Sequence, residues 1–292
     1  MNYYLKNNFL QVEVASKGGE LQSIRTPDGT EYLWQGNPEF WSDRALNIFP
    51  YVARLTQNTY IYEEKPYHMD IHGFLKDTDL LCESKDSNHL CLYMEDNENT
   101  RPQYPFSFLF SITYTLNHNQ LQIEYQIRNK GDKTMYFGLG GHPGFNVPLH
   151  PKENFEDYYL QFDPDCSPKH VIFTDDCFVT GQEKEFLLHH DNTLPLSHTL
   201  FDNDAIVLKD TGSKIILRTH TSSHSVEINC KDFAYLGLWH TPKTQAPYIC
   251  IEPWSSLPSR KEKIEKLETQ DNLLTLAPGS MLTKEWSITV HH

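Results

Sequence analysis

No stretch of this 292-residue chain is long and apolar enough to cross a membrane as a helix. Positive charge is also short: 25 Lys and Arg face 39 Asp and Glu, for a net charge of −14. That sign opposes the basic surfaces that bind nucleic acid or anionic lipid, so neither partner is expected. No CxxC pair occurs. The six cysteines (Cys82, Cys91, Cys166, Cys177, Cys230 and Cys250) are scattered and read as reduced, mostly buried thiols. The opening "MNYYLKNNFLQVEV" lacks the charged-then-apolar layout of a signal peptide, and with the reduced thiols this gives a cytoplasmic expectation. There is no linker-like Pro/Gly/Ser tract and no internal repeat, so residues 1–292 are expected to form a single domain. Helical periodicity is scarce as well. The one candidate is "SLPSRKEKIEKLET", with Ser259 placed as an N-cap.

Alternation of apolar and polar residues is abundant. In "FSFLFSITYTL" one face carries Phe106, Phe108, Phe110, Ile112, Tyr114 and Leu116. In "LQIEYQIRN" it carries Leu121, Ile123, Tyr125 and Ile127. The short "NHNQ" between them makes a hairpin of two half-buried strands. "LQVEVAS", "KIILRTH", "HSVEINC" and "EWSITV" read as further strands. With 38% hydrophobic and 13% aromatic residues to fill a core, the pattern predicts an all-β antiparallel sandwich with few short helices.

Function is sought among polar residues in apolar settings. "PYICIEPW" puts the carboxylate of Glu252 after four residues that read as a buried strand, and Pro253 reads as the stop. Glu252 is either a neutral acid bonded to backbone or a desolvated carboxyl raised toward neutral pKa. "GGHPGFNV" surrounds His142 with glycines at the wrong spacing for a phosphate loop; they are expected to let backbone and ligand approach closely. "HMDIHGF" spaces His68 and His72 as a helical zinc pair would be, but Pro66 and Gly73 bracket it too tightly for a helix. "NIFPYVARL" carries Asn47 and Arg54 in an apolar run. Trp239 in "LGLWHTP" either stacks on a sugar face or fills core. Asp202 and Asp204 in "FDNDAIVL" either hold hydroxyls or make an Asx turn.

Taken in order, "GGELQSI", "EYLWQGNPEFW", the Arg54 segment, "HMDIHGF", "GGHPGFNV", "DNDAIVL", "YICIEPW" and "LAPGSMLTKEW" resemble the aldose 1-epimerase (galactose mutarotase) family, nearest its LacX-like branch. The resemblance implies a large galactose mutarotase-like supersandwich, a small-molecule sugar as partner, no cofactor and no metal; a homodimer is left open. It implies Glu252 as the base at the C1 hydroxyl and His142 as the acid at the ring oxygen. His72 and Arg54 would bind the ring oxygen and neighbouring hydroxyls, with Asp204 or Asp202 as the acidic partner; Asn47 and Trp239 complete the expected binding set. Opening a cyclic hemiacetal requires proton removal at O1 and donation at O5. The acid and base are expected on different sides of the ring, both titrating near neutrality. Three alternatives are kept. A hexose-6-phosphate epimerase would need a basic cluster drawn from Arg44, Lys76, Lys243, Arg260 and Lys261. The others are a sugar-binding protein without catalysis and, more remotely, a metal hydrolase using His68, His72 and His142.

Overall fold

In the computed structural model, which describes residues 1–292, two large antiparallel sheets dominate; the alternating segments fall in the nine-stranded one, except "LQVEVAS", which joins a three-stranded sheet. The nine-stranded sheet runs from an edge at Thr193–Pro195 to an edge at Leu81–Lys85, with Met281–His291, Gln120–Asn129 and Phe108–Asn117 adjacent in its middle. The hairpin closes with Asn117 opposite Gln120 across a two-residue turn. His118 takes the left-handed conformation there, at φ 53°. Phe108, Phe110, Ile112, Tyr114, Leu121, Ile123, Tyr125 and Ile127 all point inward and are buried.

The seven-stranded sheet is ordered Val179–Glu185, Lys169–Phe173, Ile206–Lys209, Tyr235–Trp239, Tyr248–Trp254, Gly140–Asn146 and Ala45–Ile48. Its inner face supplies Leu236, Leu238, Ile249, Ile251, Phe145, Ile206 and Leu208 to the same core that the nine-stranded sheet fills. That core is one cluster of 62 buried residues reaching from Leu5 to Val290. Burying such side chains stabilises by about 1.5–3 kcal/mol each, enough to hold the strands under the site rigidly.

Asn47 joins the two sheets. Its amide donates to the carbonyl oxygens of Gly18 and Gly19, both at 3.0 Å, and its Oδ1 accepts from the Tyr125 hydroxyl at 2.7 Å. Residues of a strand alternate between faces, so Asn47 points into the core while Leu46 and Ile48 face out.

Helical structure is confined to six 3-10 turns of three or four residues. None is long and apolar enough to cross a membrane. The helix expected in "SLPSRKEKIEKLET" is absent. Instead, the Ser259 hydroxyl accepts from the backbone N–H of Thr56 at 2.8 Å, and Glu265–Lys266 forms a short parallel pair with Thr59–Tyr62. Glu265 is buried between Arg260 and Lys263, at 2.8 and 2.9 Å. Those tertiary bonds outweigh a helix whose apolar face is too short to anchor it.

Candidate active site

The outer face of the seven-stranded sheet carries two small apolar clusters. One gathers Ile48, Val52, Ala53, Val171, Val207, Trp254 and Leu257. The other gathers Trp34, Ala246, Tyr248 and Cys250, with Trp41 and Trp239 against them. Between them opens a cavity of about 320 Å³, within the range of small-ligand sites. Its lining includes Arg54, His72, His142, Asp204, Trp239 and Glu252.

Glu252 lies within a strand, because Tyr248–Trp254 continues through Pro253. On one side the ladder is unbroken, with Gly237 opposite Glu252 and Leu236 opposite Pro253. On the other it is interrupted between the pairs Gly140–Trp254 and Gly144–Cys250. The gap coincides with Pro143 and Pro253, which have no N–H to give. Carried across the gap, that register sets His142 directly opposite Glu252, on one face of the sheet. The side chains meet there: His142 Nε2 lies 3.3 Å from Glu252 Oε2. Gly237 makes room on the far side, since a Cβ there would lie 3.2 Å from that of Glu252.

Both groups are buried, Glu252 1% exposed and His142 8%. Burial raises the Glu252 carboxyl well above the ordinary carboxylate range; the Trp254 indole N–H, 3.1 Å from Oε2, pulls the other way, and the charge of Asp204 adds to the rise. Burial lowers the His142 imidazole to about 4, opposed by a backbone hydrogen bond and by Asp204. The expectation of near-neutral titration therefore fails for His142, which lies too deep for its cation to be favoured. Glu252 and His142 are best treated as one unit, because moving a single proton between them interconverts a neutral pair and an ion pair.

His72 completes the group, its ring 5.4 Å from that of His142 and almost perpendicular to it. Its backbone is left-handed at φ 65°, and it is tied to Ala53 twice. The His72 N–H donates to the Ala53 carbonyl at 2.9 Å, and the Ala53 N–H donates to His72 Nδ1 at 3.3 Å. With Nδ1 accepting, the neutral ring carries its proton on Nε2. Burial first, then the charges of His142, Lys76 and Arg54, keep it neutral. The adjacent Gly73 is indispensable to this turn: a Cβ there would lie 2.3 Å from the Phe49 carbonyl oxygen.

The remaining sequence expectations sort plainly. Arg54 lines the cavity, and its buried Nε has no hydrogen-bond partner. Asp204 lines it and Asp202 does not. Asp204 Oδ1 accepts from the Ala205 N–H at 2.8 Å and Oδ2 from the Cys177 thiol at 3.1 Å. Trp239 lines the cavity too, edge-on to Trp41 at 5.7 Å. Asn47 does not reach it, its amide being committed in the core. His68 is exposed on the Lys65–His68 strand and bonded to Thr59, so no His68, His72 and His142 cluster exists. The glycines around His142 admit protein rather than ligand: a Cβ on Gly141 would meet Trp286 at 2.7 Å, and one on Gly140 the Pro253 carbonyl at 2.7 Å. His142 and Glu252 stand side by side on neighbouring strands.

Sequence reasoning gave no role to Trp41, Asp43, Cys177 and Trp254, which also line the cavity. Trp41 packs on His142 at 4.8 Å, from a loop without periodicity to mark it. Trp254 had a signal: two residues beyond Glu252, it shares that residue's face once the strand is read through Pro253.

The comparisons agree with this architecture. The chain is 33% identical to a plasmid-encoded LacX protein of Lactococcus lactis subsp. lactis, over 99% of each chain. A galactose mutarotase related enzyme from Lactobacillus acidophilus superposes with a TM-score of 0.95 at 34% identity, over 100% of this chain and 98% of that one. A galactose mutarotase-like protein from Lactobacillus casei gives 0.94 at 29% identity, over 100% of both. The family model described as aldose 1-epimerase matches residues 1–266, and with that match the chain belongs to the aldose 1-epimerase family.

Proposed function

We propose that the chain is a cofactor-independent aldose 1-epimerase that interconverts the α and β anomers of a free hexose. The observation that carries this reading is the buried contact of His142 and Glu252 at 3.3 Å on the cavity floor. O1 and O5 of a cyclic sugar are both bonded to C1, so an acid and a base side by side serve both oxygens.

Ring opening uses the ion-pair form. The Glu252 carboxylate takes the proton from O1 while the C1–O5 bond breaks, and the His142 imidazolium gives its proton to O5. The pair is then neutral, the form that burial favours. After rotation about C1–C2, His142 takes the O5 proton and Glu252 returns one to O1 as O5 closes on the other carbonyl face. The pair holds one proton throughout, and nothing is consumed. His72 Nε2–H and Arg54 donate to ring substituents, the Asp204 carboxylate accepts from a hydroxyl, and Trp239 offers an aromatic face.

The wall charges favour a free sugar over its 6-phosphate. Of the five basic residues considered for a phosphate cluster, Lys76 alone lines the cavity, and Asp77 sits 2.5 Å from its Nζ. Arg260 and Lys261 pair with Glu265 and Asp176 instead. Asp43 and Asp204 set two acidic groups against Arg54 and Lys76, so the wall carries no surplus of positive charge for a phosphate.

Anomer exchange measured by NMR saturation transfer on glucose, galactose and their 6-phosphates tests the reading. Catalysed exchange of free hexose should fall by about 10²–10⁴-fold in Glu252→Gln, the range for loss of a general base. Sugar binding without faster exchange in the wild type refutes the enzymatic reading, and a requirement for the 6-phosphate refutes the free-hexose assignment.

A further inference from the structure

Cys250 has no part in the proton transfers proposed above, yet it lies beside them. It stands two residues before Glu252 on the same face of the strand, fully buried in the cluster that Trp41 and Trp239 cover. Its Sγ, a ring nitrogen of His142 and a carboxylate oxygen of Glu252 all lie within 4.8 Å of one another. Residues i and i+2 of one strand and a residue of the neighbouring strand approach a common point from three corners of one sheet face. The His142 nitrogen turned toward this group is Nε2, 3.3 Å from Glu252 Oε2, in a residue only 8% exposed.

The donor set selects the ion. Thiolate, imidazole and carboxylate are the three ligand types of Zn²⁺, and three protein ligands leave its fourth tetrahedral position open. Sulfur argues against Mg²⁺ and Ca²⁺, which take oxygen. Ligand bonds of about 2.0–2.3 Å require the three side chains to draw together by about 1 Å at most.

We propose that His142, Cys250 and Glu252 form a site for a thiophilic divalent cation of the Zn²⁺ class on the cavity floor, and that its occupancy switches off the acid–base pair. The ion takes the lone pairs that His142 and Glu252 turn toward the sugar. Cys250 coordinates as thiolate, and both its proton and the one held by the Glu252–His142 pair pass to solvent. The inhibitory half of the proposal rests on the epimerase reading; the binding half does not.

Titration of the full chain with Co²⁺, followed by absorption, tests the binding half directly. The wild type should develop a near-ultraviolet thiolate-to-Co²⁺ charge-transfer band that Cys250→Ser lacks; the same band in both, or in neither, overturns the site. Glu252→Gln keeps the sulfur and should bind Co²⁺ at least ~10-fold more weakly, since even partners outside the ligand shell are worth that much. It is the arm to rely on if the serine variant does not fold, and unchanged affinity there overturns the proposal. Zn²⁺ should inhibit anomer exchange in the wild type at least ~10-fold more strongly than in Cys250→Ser, each normalised to its own metal-free rate. Equal inhibition of the two overturns the inhibitory half. A Cys250-dependent band in a protein without epimerase activity supports the site and refutes the epimerase reading instead.

Discussion

Trp254→Phe is the sharpest test of how the fold tunes Glu252. The indole N–H donates to Glu252 Oε2 at 3.1 Å, and both residues are buried, at 3% and 1% exposure. A hydrogen bond to a charged group is worth about 1.5–3 kcal/mol. Here it stabilises only the carboxylate, the form proposed to open the ring, and phenylalanine keeps most of the apolar bulk while deleting the donor. If the whole interaction is lost in the ion-pair state, kcat/KM falls by about 10- to 150-fold. The sign of the accompanying titration is fixed. The indole lowers the Glu252 pKa against burial, so removing it raises that pKa further and moves the alkaline limb of the pH–rate profile upward. Polarimetry of catalysed mutarotation between pH 4 and 10, corrected for the spontaneous reaction, reads both effects. Circular dichroism at the assay temperature checks that the variant is folded, because trimming a buried indole also lowers stability. A folded variant within twofold of the wild type, or with its alkaline limb moved down, refutes the assignment of Trp254 as the residue that holds the carboxylate.

The wild type should show its acid limb near pH 4, where His142 gains a proton beyond the one the pair already holds; a limb centred near 6.5 refutes the argument from burial. Asp204→Asn removes a negative charge that raises both members of the pair, so both limbs should move to lower pH, and a shift of either limb upward contradicts the electrostatics. Asn47→Ala should lower the unfolding free energy in urea by about 1–3 kcal/mol, because it strands the Gly18 carbonyl oxygen and takes one of two partners from both the Gly19 carbonyl and the Tyr125 hydroxyl. Its KM should stay within twofold of the wild type, whereas a KM effect without loss of stability returns Asn47 to the binding site.

The parts of this molecule legible in its sequence share one cause, a local period matched to a local environment. The hairpin of Phe108–Asn117 and Gln120–Asn129 could be drawn residue by residue because one face meets the core and the other is more open. The seven-stranded sheet blurs that signal. Tyr248–Trp254 is buried on both faces, so its alternation vanishes and a proline inside it reads as an end. The missing alternation has a functional reason. Ile249 and Ile251 face the main core, while Tyr248, Cys250, Glu252 and Trp254 face the outer clusters and the cavity. Two prolines on facing strands open the ladder where His142 and Glu252 meet, so the feature that hid the strand's length in the sequence marks the site in the fold. Asn47 shows the converse error. A polar residue in an apolar run is a sound signal of buried chemistry, but it does not say which face of the strand it occupies. In this sandwich one face leads to the cavity and the other to a core amide linking two sheets. Deciding between them requires the register with Gly140–Asn146, a contact about ninety residues distant in the chain and invisible to any local pattern.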